Sequence, residues 1–343
     1  MAVVSESGLR NSAVVAAMLV TLLLRSNFAA AQTTLKFTLD GKLAGPVAPF
    51  TLGIDKGYYA AEELSVTIDT ARDPADALKR ITSGEYDMGF VDINALIRSR
   101  DHNPEMRARA VFMVYNRPPY AVIGRKSRGV VQPKDLKGKK LGAPAADPAY
   151  AQWPIFLRAN STSAITVINI GLPVREPMLA AGQLDAVIGI SFETYVDMIE
   201  RGVPADDISM MLMADYGVHA YGNAIVINPE SAAAKGDVVK AFLRAFLNAL
   251  KSTVRAPGAA VSSVVRRDAA LNSEVERKRL QLAIEQNIRT PEAAALGYGA
   301  VDMARLNESI GQLGSAHGFK TKFGAEDIFD PAFLPRASER RVQ

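Results

Sequence analysis

One grammar is written twice in this chain. Gly84-Glu85-Tyr86-Asp87 leads into the apolar run Met88–Val91 and stops on Asp92. Gly182-Gln183-Leu184-Asp185 leads into Ala186–Ile190 and stops on Ser191. A helix-like stretch precedes each, Asp76–Thr82 in the first and Glu176–Ala181 in the second. Glycine at a helix end suits the left-handed C′ position. A short, wholly apolar strand after it suits a parallel sheet covered on both faces. Any two αβ units share some of this pattern, which is the plain alternative. The more specific reading is two matched α/β lobes, each aiming a strand end, Asp92 and Ser191, at a common cleft.

The rest of the chain fits that frame. Leu35–Leu39 alternates as a strand and ends at Asp40. A Gly/Pro-rich loop follows, and Phe50–Lys56 reads as a helix closed by Gly57. Val66–Ile68 is a second strand, and Asp73-Pro74 opens a helix with Asp73 as N-cap and Pro74 at its first position. The order β-α-β-α-β argues for a parallel sheet with helical crossovers. Val111–Tyr115 and Tyr120–Gly124 are strands on either side of Pro118-Pro119. Lys140–Gly142, Thr166–Ile170 and Met210–Met213 are further strands, and Ala224–Ile227 returns. From Pro229 the pattern is helical, with Val239, Phe242, Leu243, Phe246, Leu247 and Leu250 at helical spacing. Ala337–Gln343 has no pattern and is expected to fray.

The expected division is a leader over 1–31, the first part of lobe one over 32–124, and an inserted lobe two over 125–221. Residues 222–343 hold the return crossover, the completion of lobe one and C-terminal helices. Two connecting strands form a hinge about which the lobes close.

Composition sets the compartment. The chain has 343 residues, 48% apolar and 22% charged, enough for two domains and typical of a globular protein. Arg10, the apolar run Ala13–Leu24 and Ala29-Ala30-Ala31 before Gln32 read as a secretory signal peptide cleaved near Ala31. The run is short for a membrane span. With no cysteine there is no disulfide, thiolate metal site, cysteine nucleophile or lipid-bearing cysteine. A secreted, unlipidated, disulfide-free chain fits a bacterial periplasm. The net charge of +4 is mild and spread out, and no nucleic-acid motif is present, so no nucleic-acid partner is expected.

Enzyme signatures are missing: no Gly-x-Ser-x-Gly elbow, no His-Glu-x-x-His, no phosphate loop and no dinucleotide fingerprint. Nothing calls for a metal or a cofactor. Of the three histidines, His102 and His317 read as surface residues, and only His219 falls near the expected cleft. Gly142–Asp147 followed by Pro148 reads as a strand, a small-residue turn and a helix opening, which presents free backbone N–H groups. Either these amides receive a ligand dipole or Asp147 caps the helix itself. Trp153, one turn later, is a core residue or a stacking wall. The segment Ala214–Asn223 carries Asp215, Tyr216, Tyr221 and Asn223 between glycines, a stacking and hydrogen-bonding loop or a packed crossover. Asn116, at a strand end of lobe one, lies where open α/β sheets bind ligands.

Together these fragments resemble the periplasmic substrate-binding proteins of ABC importers, in their nitrate/sulfonate/taurine and thiamine-pyrimidine-precursor branch. The resemblance rests on Lys36–Asp40, Ala48-Pro49-Phe50 with Gly57-Tyr58-Tyr59, and Ser83-Gly84 with Asp87–Phe90 and Asp92. It continues through Pro133–Leu136, Gly138–Lys140, Gly142–Pro144, Ala181-Gly182 with Asp185-Ala186, Ala214–Gly217 and Tyr221–Asn223. It implies an α/β, two-lobed type II periplasmic-binding-protein fold: two mostly parallel sheets flanked by helices, with two crossover strands as hinge. It also implies a non-enzymatic, monomeric, periplasmic solute-binding protein that serves an ABC permease in the inner membrane. Two positions depart from relatives: Gly41 stands where they often carry Trp, and Ala48 where they often carry His. The cysteine-rich signature of the eukaryotic pyrimidine synthases of related fold is absent.

On this reading the ligand contacts are Asp40, Phe50, Asp92 and Asn116 from lobe one. Ala146, Asp147, Trp153, Ser191, Glu193, Asp215 and Tyr221 come from lobe two, the last at its boundary with the return crossover. Asp92, Glu193 and Asp215 would form an acidic wall that favours a small organic ligand bearing donors or positive charge, nitrogen-containing or heteroaromatic, over nitrate. The other readings are a secreted enzyme that uses a carboxylate pair on this fold and a ligand-sensing module for a membrane receptor.

Overall fold

Residues 32–145, 147–230 and 235–342 are described by the computed structural model. The leader expected over 1–31 and the contact expected at Ala146 lie outside them.

Two five-stranded sheets carry the fold. The first holds β1 (Thr33–Leu39), β2 (Leu64–Thr70), β3 (Met88–Asp92), β4 (Arg109–Met113) and β10 (Asn223–Ile227), in the order β2-β1-β3-β10-β4. The second holds β5 (Tyr120–Arg125), β6 (Lys140–Ala143), β7 (Thr166–Asn169), β8 (Ala186–Ile190) and β9 (Ile208–Leu212), in the order β7-β6-β8-β5-β9. One strand in each runs against the others: β10 is antiparallel to β3 and β4, and β5 is antiparallel to β8 and β9. These are the strands at which the chain changes sheet. Each sheet is therefore mostly parallel, with its one reversed strand supplied by a crossing.

The repeated grammar has one physical cause in both sheets. Gly84 and Gly182 sit at φ +77° and +72°, a conformation glycine adopts without strain. Three residues on, the aspartate ties its own strand to the neighbouring strand of the sheet. Asp87 accepts the Lys36 N–H at 2.8 Å and donates its own N–H to the Lys36 carbonyl at 3.0 Å. Asp185 treats Lys140 the same way, at 2.8 and 2.9 Å. The glycine ends the helix and the aspartate fixes the register of the buried strand.

The helices of the first half are α1 (Ala48–Asp55), α2 (Pro74–Thr82), α3 (Ile93–His102), α4 (Trp153–Ala159), α5 (Arg175–Ala180) and α6 (Ser191–Glu200). Then come α7 (Gly236–Arg255), α8 (Pro257–Val265), α9 (Ser273–Ala283), α10 (Pro291–Leu296), α11 (Met303–His317) and α12 (Ala325–Ile328). Asp73 caps α2 by accepting the Asp76 N–H at 2.8 Å, Asp92 caps α3 through Asn94, and Asp302 caps α11 through Ala304 and Arg305. Such a cap contributes about 1 kcal/mol.

The face of the first sheet turned to α7 is an aromatic core. Phe50 stacks on Phe246 at 4.5 Å between ring centroids and meets Phe37 and Phe90 at 5.0 and 5.1 Å. Aromatic pairs of this kind contribute about 0.5–1.5 kcal/mol each beyond their burial. Phe50 is thus core, because the buried face of α1 turns it toward α7. The C-terminal tail does not fray in the way its lack of pattern suggests. Arg340 is buried, and its guanidinium donates to the carbonyls of Pro335, Leu296 and Tyr298.

Candidate functional site

A cleft of about 310 Å³ opens between the two sheets, at the carboxyl ends of their parallel strands. Lobe one contributes Asp40 after β1, the loop Gly41–Val47, Phe90 and Asp92 at the end of β3, Tyr115 after β4, and Asn223 at the start of β10. Facing them are Asp147, Pro148, Leu172, Ile190, Phe192 and Glu193. β1 and β3 stop here on polar residues, Asp40 holding the Asp92 N–H and Asp92 capping α3.

Four expected contacts meet in this cleft: Asp40, Asp92, Asp147 and Glu193. Asp92 is almost fully buried, at 1% exposure. Its Oδ1 accepts the Tyr120 hydroxyl at 2.6 Å and the Asn94 N–H and Nδ2–H at 3.0 and 2.8 Å. Its Oδ2 has no hydrogen-bond partner among the described residues. Asp40 Oδ2 accepts the Asp92 N–H at 2.9 Å and the Asn223 Nδ2–H at 2.8 Å. Burial pushes the Asp40 carboxyl up to about 7, and the charge of Asp92 adds to the rise against those two donors. Burial also raises Glu193, opposed by Lys42 across the cleft and by Arg175 and Arg279. Tyr120 is held well above the usual phenol range by burial and then by Asp92.

Asp147 behaves differently from either sequence expectation. The helix expected to open at Pro148 starts only at Trp153, after a single 3-10 turn over Tyr150–Gln152, so no free helix N-terminus stands behind Asp147. One carboxylate oxygen accepts the Ala149 N–H at 2.9 Å, and the other takes the Arg175 guanidinium at 2.5 Å. Arg175 also donates to Glu176 at 2.7 Å, forming a buried triad. Burial raises Asp147 above the usual carboxylate range, and the Arg175 charge holds it down.

The other expected contacts lie elsewhere. Asn116 is buried against Ala300 and Glu292, because the strand ends at Met113 and the chain after it turns Tyr115 into the cleft. Trp153 is buried and stacked on Phe156 at 5.5 Å, away from the cleft. Ser191 sits at the start of α6 with its hydroxyl on Gln286 at 3.1 Å. Asp215 is exposed and pairs with Arg117, so it takes no part in an acidic wall. The Tyr221 hydroxyl donates to Glu292 at 2.6 Å and accepts the Asp302 N–H at 2.9 Å, with Arg305 over its ring at 4.2 Å. Tyr221 thereby fastens the return crossover to the C-terminal helices. His219, placed near the cleft by the sequence pattern, pairs with Glu308 instead.

The cleft also contains residues outside the expected set. Phe90, Tyr115 and Phe192 line it as an aromatic wall that crosses between the lobes. Tyr115 meets Phe90 edge-on at 5.5 Å and Phe192 at 6.3 Å. Lys42 faces Glu193 from the loop after Asp40. At Gly41 an added Cβ would meet nothing within 4 Å, so this position borders open space, while Ala48 is fully buried in α1.

Two mixed sheets joined by two crossing strands, with a cleft between their strand ends, define the class: the two-lobed periplasmic-binding-protein fold. The aliphatic sulphonate-binding protein SsuA of Escherichia coli shares the fold, with a TM-score of 0.66 at 12% identity over 85% of this chain and 96% of that one. The family model described as NMT1/THI5 like matches residues 46–260, and the chain belongs to that family. The formylaminopyrimidine-binding protein of Halalkalibacterium halodurans is 23% identical, covering 81% of this chain and 84% of its own. The 4-amino-5-hydroxymethyl-2-methylpyrimidine phosphate synthase of Schizosaccharomyces pombe is 26% identical, covering 68% of this chain and 69% of its own.

Proposed function

We infer that this protein is a periplasmic solute-binding component of an ABC import system. It captures a small nitrogen-bearing ligand, rich in hydrogen-bond donors or cationic, and delivers it to an inner-membrane permease. It acts as a monomer, and closure about β5 and β10 buries the ligand between the strand ends. One observation carries the ligand class: Asp92 Oδ2, buried in the cleft wall without a partner, beside Asp40. A bare buried acceptor costs about 1–3 kcal/mol until a donor reaches it. A ligand N–H meets that need, and nitrate or a sulfonate, which carries acceptors only, does not.

The aromatic wall of Phe90, Tyr115 and Phe192 suits a flat ring. The relatives named for a formylaminopyrimidine and for a pyrimidine phosphate support a nitrogen heterocycle. Asp40, Asp92 and Glu193 are the proposed contacts, with Asp147 holding the shape of the far wall through Arg175. A second reading, a secreted enzyme that uses the Asp40–Asp92 carboxylate pair, is favoured by the Asp40 pKa of about 7 and by the synthase relatives. A thermal-shift panel of aminopyrimidines, amines, aromatic acids, sulfonates and nitrate tests the binding reading, because a ligand bound only by the folded state raises the midpoint. Stabilisation by aminopyrimidines or amines supports it. Release of a chemically changed ligand, lost in Asp40→Asn, would move the protein to the enzymatic reading.

A further inference from the structure

A second cavity, of about 860 Å³, is bordered by Asp73-Pro74 and Asp147-Pro148, residues that also form a wall of the cleft. Lys79 of α2 and Arg98 of α3 line it from lobe one, and Tyr150 and Trp153 line it from lobe two. Arg98 Nη1 is buried and has no hydrogen-bond partner among the described residues. Neither Arg98 nor Lys79 is in an ion pair among the described residues. The two carboxylates in the shared wall are already engaged, Asp73 by the Asp76 N–H and Asp147 by Arg175. The cavity therefore sets two cations that are in no ion pair among the described residues, Arg98 and Lys79, beside Tyr150 and the edge of the largely buried Trp153.

We propose that this cavity is a second ligand site, which takes an organic anion. A carboxylate or phosphate monoester sits on Arg98 and Lys79, and its flat body lies against Tyr150 and Trp153. The planar guanidinium offers paired donors that match both anions, and such charge-assisted bonds are roughly twice as strong as neutral ones. The space is within the usual range for small-molecule sites, about 300–1,000 Å³. The cations that define the site, Arg98 and Lys79, do not line the acidic cleft.

The chain reports on this site itself. Trp153 is its single tryptophan, and it lines this cavity and not the cleft. Benzoate and phenyl phosphate, titrated separately into the full-length protein, should each or singly give a saturable change in tryptophan fluorescence. The stronger of the two identifies carboxylate or phosphate as the preferred head group, and benzylamine should give no change through this site. Arg98→Gln should raise the Kd roughly tenfold or more, the scale of one lost charge-assisted bond. Lys79→Gln, at an exposed position that leaves folding intact, should raise it by a smaller factor. Asp40→Asn should leave the anion response in place. Absence of a saturable change with both anions at millimolar concentration overturns the proposal. So does an unchanged Kd in Lys79→Gln together with Arg98→Gln, or in Lys79→Gln alone if Arg98→Gln does not fold. Loss of the response in Asp40→Asn would place the anion in the acidic cleft and also overturn it.

Discussion

The carboxylate of Asp40 accepts the backbone N–H of Asp92 at 2.9 Å, joining the ends of two neighbouring parallel strands at the edge of the cleft. The bond sets two carboxyl groups side by side with unequal surroundings. Asp92 is fastened through one oxygen by Tyr120 and Asn94, and Asp40 is pushed up to about 7 by its burial and then by the charge of Asp92.

That shift gives a pH dependence of definite sign. A carboxyl whose folded pKa lies above its ordinary 3.8 binds its proton more tightly in the folded state. Its stabilising contribution is full below the ordinary pKa, falls as pH rises toward about 7, and stays constant beyond. Thermal midpoints of the ligand-free protein across this range should therefore fall less in Asp40→Asn than in the parent. Glu193 and Asp147 are shifted the same way and remain in both proteins, so the difference between the two curves isolates Asp40. Parallel curves would contradict the assignment.

Tyr120→Phe tests the support of Asp92. The hydroxyl donates to Asp92 Oδ1 at 2.6 Å and accepts from Asn94 Nδ2 at 2.8 Å, all of it buried. Loss of a hydrogen bond to a buried charged group costs about 1.5–3 kcal/mol. Urea denaturation should show that loss with an unchanged m-value.

Arg175→Met tests the far wall. Arg175 is buried with Asp147 and Glu176, and its removal leaves two carboxylates without their cation. A broken buried pair of this kind costs about 3–5 kcal/mol. The loss should be smaller for Arg175→Met combined with Asp147→Asn, which removes one of the stranded charges. Equal losses in the single and double variants would show that the pair does not act as described.

Gly41 and Gly45 sit four positions apart in the same cleft loop and should respond in opposite ways. An added Cβ at Gly41 meets nothing within 4 Å, whereas at Gly45 it would lie 2.0 Å from the Glu276 carbonyl oxygen. Gly45→Ala should cost about 3 kcal/mol, the upper part of the overpacking range, because the obstructing atom is backbone. Gly41→Trp should leave the thermal midpoint nearly unchanged and alter ligand affinity by filling open space beside Asp40.

The features legible in the sequence are those with local causes. Gly84 with Asp87 and Gly182 with Asp185 announced two sheets of one plan because each pair performs a local task, ending a helix and fixing a strand. Asp40, Asp92 and Glu193 were legible as polar residues placed where apolar runs stop or a helix begins. Tyr115 was obscured by Asn116 because adjacent residues at a strand end face opposite ways, and the end of β4 falls two residues earlier than the apolar run suggests. Asp147 reads as a cap until Arg175, from a distant helix, is brought against it. Tyr221 and Phe50 take their roles from α10, α11 and α7, whose docking no local pattern specifies.

The central claim is that the cleft selects a ligand by its donors through Asp40 and Asp92. Titration calorimetry of the purified protein with 4-amino-2-methylpyrimidine, methanesulfonate and nitrate tests it most directly, repeated on Asp92→Asn. That substitution is isosteric, keeps an acceptor for Tyr120, and turns the bare acceptor into a donor. Saturable heat with the aminopyrimidine alone, at least about tenfold weaker in Asp92→Asn, is the predicted result. Tight binding of nitrate or methanesulfonate, with no response to the aminopyrimidine or to simple amines, would contradict the account.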